Sequence, residues 1–170
     1  MAATDQLLQL FARSIFAKLK ALACVELKLT DNQSRRLRKS ITEDIRTCGG
    51  LIFPDMKPPE VSKSAQEAAE RIRIDISKED WYSQSKFDPR RRIFQWEHVH
   101  TVSSIQEMCK RAGSEEEIVM ILKTHLRIAW ILKREDEELN GLGYRTKRPD
   151  PEGAYRHAKI ELLKIQRTNQ

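Results

Sequence analysis

Leu7, Leu8, Phe11, Ile15, Leu19, Leu22 and Val25 recur at spacings of mostly three and four, which predicts an amphipathic helix over residues 5 to 28 with one apolar stripe. That stripe is either core or the seam of a homodimer. Thr30-Asp31-Asn32-Gln33 offers a threonine cap with glutamine three residues on, opening a second helix to about Thr47 that stops at Gly49-Gly50. The two helices should form a hairpin. Pro54, Pro58 and Pro59 then mark a linker, and Ser64 with Glu67 predicts a further capped helix whose apolar face is Ala65, Ala68, Ala69 and Ile72.

The pattern changes after residue 77. Ser77 to Asp88 shows no clear period and reads as irregular. Arg92 to Val99 has the aromatic and β-branched content of a short strand, with Ile93, Phe94 and Trp96 available for packing. A helix over residues 103 to 112 closes at Gly113. Ser114 with Glu117 then caps another, reaching about His125. Arg127 to Leu132 fits either a helix extension or a second strand, and its Ile, Trp and Ile favour the strand. REDEELNGLG predicts a helix of about two turns. Asp150 as cap and Pro151 at the first helical position start a terminal helix that should dock Tyr155, Ile160, Leu162 and Leu163. The expected fold is α+β and predominantly helical. It has an N-terminal helical region over residues 1–76 and a small strand-strand-helix core with a helical insertion over 77–170, packed as one unit.

Composition narrows the class. Apolar residues make up 39% and charged residues 33% of the 170, and the charges interrupt every apolar run, so neither a membrane span nor a secretory leader is read and the cytoplasm is expected. Cys24, Cys48 and Cys109 lie far apart with no C-x-x-C pair, which argues against a zinc ribbon or a disulfide framework. The net charge of +6 is concentrated in two basic runs. Arg35, Arg36, Arg38 and Lys39 form one, and Arg90, Arg91 and Arg92 form the other, directly before the first strand. Runs of this kind suit phosphate contact, and a solvated surface would carry them as well. Arg134, Arg145, Lys147 and Arg148 admit the same two readings.

The candidate chemistry lies where strand, carboxylate and imidazole meet, at Trp96-Glu97-His98-Val99. WEHV followed, after an insertion, by RIAWILKREDEEL resembles the strand-strand-helix core of the HNH, or His-Me finger, nucleases. The resemblance implies a ββα-metal fold and phosphodiester hydrolysis, with His98 as general base and Glu97 as metal ligand. Asp136 stands nearest the position of the helix ligand, and the cation is Mg²⁺ or Mn²⁺ rather than Zn²⁺. Arg90, Arg91, Arg92, Arg35 and Arg36 would contact nucleic acid, DNA first and RNA as the alternative. The sequence departs from the family in lacking an Asp-His or His-His pair, a proline two residues beyond His98, and an asparagine before the second strand. Neighbouring strand residues also point to opposite faces, so Glu97 and His98 share a site only if the strand ends or twists there; otherwise His100 is the residue on the face of His98. Two other classes compete. One is a non-catalytic nucleic-acid-binding protein, and the other is a helical interaction module using residues 5 to 28, with Leu8 and Phe11 on its partner face.

Overall fold

The computed structural model describes residues 3–53 and 57–165. Along these residues run α1 (Ala3–Ala23), α2 (Asp31–Leu51), β1 (Glu60–Ser62), α3 (Lys63–Arg71), α4 (Gln84–Phe87), β2 (Phe94–His98), α5 (Val102–Lys110), α6 (Glu115–His125), β3 (Ile128–Leu132), α7 (Lys133–Gly141), α8 (Pro151–His157) and β4 (Leu162–Lys164). Helix predominates and the strands form one mixed sheet, the α+β class expected. Pro54 of the expected linker lies outside the described residues, while Pro58 is buried.

The chain divides into two compact units, and the boundary differs from a break at residue 76. The first unit joins residues up to Ile52 with Val102–Leu126, so the helical insertion between β2 and β3 belongs with the N-terminal hairpin. Its core draws Leu8, Ala12 and Ile15 from α1, Ile41, Ile45 and Cys48 from α2, Ile105 and Cys109 from α5, and Ile118 and Leu122 from α6, all almost wholly buried. None of these helices can cover its apolar stripe alone, and pooling four stripes excludes water from all of them. Leu8 is therefore core and is not available as a partner face. Burial pushes the Cys48 and Cys109 thiols up to about 12, with Asp44 adding to the effect at Cys48; both are free thiols.

The local signals in this unit act largely as expected. The Thr30 side chain accepts from Gln33 N while the Gln33 side chain accepts from Thr30 N, a complete capping box. The helix it opens does not stop at the glycines but runs to Leu51, since Gly49 is buried in the core. Helix α1 ends at Ala23, earlier than the period suggests, because Cys24 is extended and Lys28 is left-handed. Val25 is left exposed. Ser114 accepts from Glu117 N, as its spacing predicts.

The second unit takes Phe53–Thr101 and the chain from Arg127 onward. Its sheet has the order β2-β3-β1-β4, with β2 antiparallel to β3, β3 parallel to β1, and β1 antiparallel to β4. The three-residue strands β1 and β4 are not evident in the sequence. In place of a longer terminal helix, α8 stops at His157, Lys159 turns left-handed, and Leu162–Lys164 return as an edge strand. Val61, Ala65, Ala69, Phe94 and Trp130 pack on one face of the sheet, with Trp81, Phe87 and Trp96 beside them. Val99, Ala129, Ile131, Leu139, Ala154 and Tyr155 pack on the other. Ser62, rather than Ser64, caps α3 by accepting from Ala65 N, and it donates to the buried Glu135 of α7 at 2.6 Å. That bond ties the first strand to the helix after β3.

Candidate functional site

Strands β2 and β3 pair in regular antiparallel register from Phe94↔Leu132 to His98↔Ile128, and α7 begins at the next residue, Lys133. The strand-strand-helix order is therefore realised in space, with α7 lying against β2 and β3. Because the pairing is unbroken through His98, side chains alternate to the end of the strand. Phe94 and Trp96 belong to the α3 side of the sheet, and His98 shares it. Glu97 points to the side of α7 and α8, with Val99. The structure thus brings together Glu97 and Asp136, and it does not bring His98 to their face. His98 is half-buried, with its Nε2 atom shielded from solvent. His100 is also half-buried.

Arg148, which by sequence stands among the candidate surface cations, organises the Glu97 face. It is 1% exposed. Its guanidinium donates to Glu97 Oε1 at 3.0 Å, to the backbone oxygens of His98 and Val99 at 3.1 and 2.9 Å, and to Tyr144 O at 3.2 Å. It also lies 5.3 Å from the centroid of the Tyr155 ring. Its role is to clamp the end of β2, and it has no access to a phosphate. Only its setting, beside a Pro-Asp-Pro stop in KRPDP, separates it in sequence from its exposed neighbours. The partner needed for burial lies 51 positions back.

Glu97 is correspondingly perturbed. Burial pushes its carboxyl up to about 7; Arg148 opposes the rise and the negative charge of Asp136 adds to it. Asp136 is half-buried and accepts from Asn140 Nδ2 at 3.1 Å. Tyr155 is raised as well, chiefly by burial and then by Glu97. Among the described residues no group of three or more His, Cys, Asp or Glu side chains is placed to hold a metal. The face instead offers two carboxylates that repel each other. These are hard oxygen donors, suited to Mg²⁺ or Mn²⁺, and Mg²⁺ commonly takes one or two carboxylates and fills its shell with water and substrate phosphate. In donor type and number they fit such a cation.

The nucleic-acid candidates divide into those outside and those spent internally. Arg90 and Arg92 are exposed at the surface. Arg91 lies 3.6 Å over the Trp81 ring and donates to Trp81 O, so it serves the fold. Arg90 and Arg91 both adopt left-handed backbone, at φ 64° and 50°, a conformation costly for non-glycine residues. Buried Asp88 anchors the segment by accepting from Arg92 N, Ile93 N and Phe94 N. Arg35 and Arg36 are exposed on α2 in the first unit, and Arg35 donates to Asn32 Oδ1. Among the described residues, no helix is long and apolar enough to cross a membrane. No protein-family model, curated protein or solved structure matches this chain.

Proposed function

We propose that the second unit is the core of a divalent-metal-dependent nuclease that hydrolyses DNA phosphodiester bonds, of the ββα type that WEHV and RIAWILKREDEEL resemble. The observation that carries this reading is the antiparallel β2–β3 pair running directly into α7, with Glu97 and Asp136 on the covered face. Glu97 and Asp136 would hold the cation. When bound, the ion supplies charge neutralisation on the phosphate oxygens and lowers the pKa of a water. β2 is an edge strand, so a phosphate lying against its free edge would have Glu97 on one face of the strand and His98 on the other, and the shielded Nε2 of His98 would have to open to it on binding. His98 is the residue assigned to accept the proton of the attacking water. Arg148 is a positioning residue, fixing one oxygen of Glu97 and the carbonyls of His98 and Val99.

The test is plasmid cleavage by the full chain with Mg²⁺ or Mn²⁺, and with EDTA. The expected result is metal-dependent nicking, lowered by at least a hundredfold in Glu97→Gln, Asp136→Asn and His98→Ala, each folded by circular dichroism. Mn²⁺ binding followed by electron paramagnetic resonance should weaken in Asp136→Asn but not in His98→Ala. Cleavage that survives in Glu97→Gln and Asp136→Asn would remove the assignment. One observation favours a non-catalytic nucleic-acid-binding protein instead, namely that Arg148 already neutralises Glu97. Salt-sensitive DNA binding with no cutting in either metal would establish that reading.

A further inference from the structure

Two basic runs that are about 40 positions apart in the chain meet at one end of the β2–β3 pair. Phe94 pairs with Leu132, and Lys133 N donates to Ile93 O at 2.8 Å, which sets Arg90–Arg92 beside Lys133 and Arg134. Arg90, Arg92 and Arg134 are exposed and Lys133 is half-buried. Among the described residues, none of these four makes an ion pair. Glu137 and Glu138 follow Lys133 and Arg134 by one turn of α7, exposed and in no ion pair among the described residues, and the other acids close by are committed elsewhere. Asp88 binds backbone amides of Arg92, Ile93 and Phe94, Glu135 accepts from Ser62 Oγ and Leu132 N, and Asp80 accepts from Tyr82 N and Ser83 N. Four cations thus stand together without a paired carboxylate among the described residues, close in sequence to Tyr82, which is 71% exposed.

We infer that Arg90, Arg92, Lys133 and Arg134 form the grip on the phosphate backbone of duplex DNA, with Arg91 excluded from it. Cations that are not held in an ion pair are free to neutralise phosphates and release the counterions condensed on a duplex. From Ile93 to Glu97 the strand rises roughly 13 Å, at about 3.3 Å per residue. That equals about four base pairs, at two charges per pair and ~1.7 Å of axis per charge, so one duplex lying along the β2 edge spans the grip and the carboxylates. The inference rests on the nuclease reading only for what lies at the Glu97 end.

The experiment is fluorescence anisotropy of a labelled 20-base-pair duplex with the full chain, in EDTA, over a series of KCl concentrations. Arg90→Ser/Arg92→Ser/Arg134→Ser is expected to bind at least tenfold more weakly and to lower the salt slope by about 2 to 3, near 0.9 for each phosphate that is no longer neutralised. The control Lys63→Ser/Lys78→Ser/Arg156→Ser removes three exposed cations that are already ion-paired, and its binding should stay within threefold of the parent. Equal weakening in the two triple variants overturns the grip, as does an unchanged slope or a parent that does not bind the duplex. Weakening confined to RNA or to anionic vesicles also overturns it. A parent that binds through the grip but never cuts with Mg²⁺ or Mn²⁺ upholds the grip and defeats the catalytic reading. Cutting that persists with an unaltered slope in the first variant does the reverse.

Discussion

At the scale of single residues, Glu97 carries the clearest energetic signature. Its carboxyl is raised to about 7 in the folded chain, against about 4.3 for an exposed glutamate. The folded state therefore binds the extra proton between those values, and stability falls as pH rises from about 4.5 to 7 and levels off above. The decrease is on the order of 3 kcal/mol. Urea unfolding in EDTA at pH 5 and pH 8 should show this difference in the parent, and Glu97→Gln should remove most of it. Arg148→Met poses the complementary question. It strips a buried carboxylate of its ion pair and three backbone oxygens of a donor. The expected cost is about 3–5 kcal/mol at pH 8, shrinking at pH 5, where Glu97 is neutral; an equal cost at both values would mean that the clamp, and not the charge, dominates. Asp88→Ala leaves three backbone amides without their acceptor and should cost at least about 2 kcal/mol by the same measurement.

At the scale of elements, short-range chemistry accounts for starts better than for stops. Thr30 with Gln33, Ser114 with Glu117, and Asp150 with Pro151 each open the helix that their sequence announces, because a cap needs only a side chain and an amide three residues away. Helix ends and short strands depend on remote partners. The α2 glycines do not break that helix, since the core absorbs Gly49, and β1 exists because β3 and β4 supply hydrogen bonds from either side. Thr30→Ala should lower stability by about 1 kcal/mol. Ser62→Ala should cost more, because it removes the α3 cap and the donor to buried Glu135 together. Equal costs from thermal melts would mean that the Ser62–Glu135 bond contributes nothing.

At the scale of the whole molecule, the two units divide the apolar residues in a way that can be read spectroscopically. Trp81, Trp96 and Trp130 all belong to the second unit, and Trp96 and Trp130 stack edge-on at 5.5 Å. Helix content is shared, while tryptophan fluorescence reports the second unit by itself. Ile45→Ala opens a cavity in the first core and should move the circular-dichroism transition by about 2–5 kcal/mol. An unmoved transition would refute the packing of α2 against its neighbours. Placing residues 102–126 with the N-terminal hairpin also explains how a long segment separates two strands that pair in unbroken register. The insertion leaves from Val99–Thr101 and returns at Arg127, and Val99 N donates to Arg127 O at 2.9 Å across the opening.

The sequence by itself determined the helical predominance, the positions of β2 and β3, the capped starts of α2, α6 and α8, and the strand-strand-helix order on which the nuclease resemblance rests. All of these are written in period and in interactions a few residues long. Tertiary structure alone decided which face each candidate occupies, because an unbroken register sends Glu97 and His98 to opposite sides. It also decided which arginines are free. Arg91 is spent on Trp81 and Arg148 on Glu97, while Arg134 joins Arg90 and Arg92 across a strand pair. Charge is a local property of a residue, but its use depends on what the fold brings alongside it, and those partners lie ten to fifty positions away.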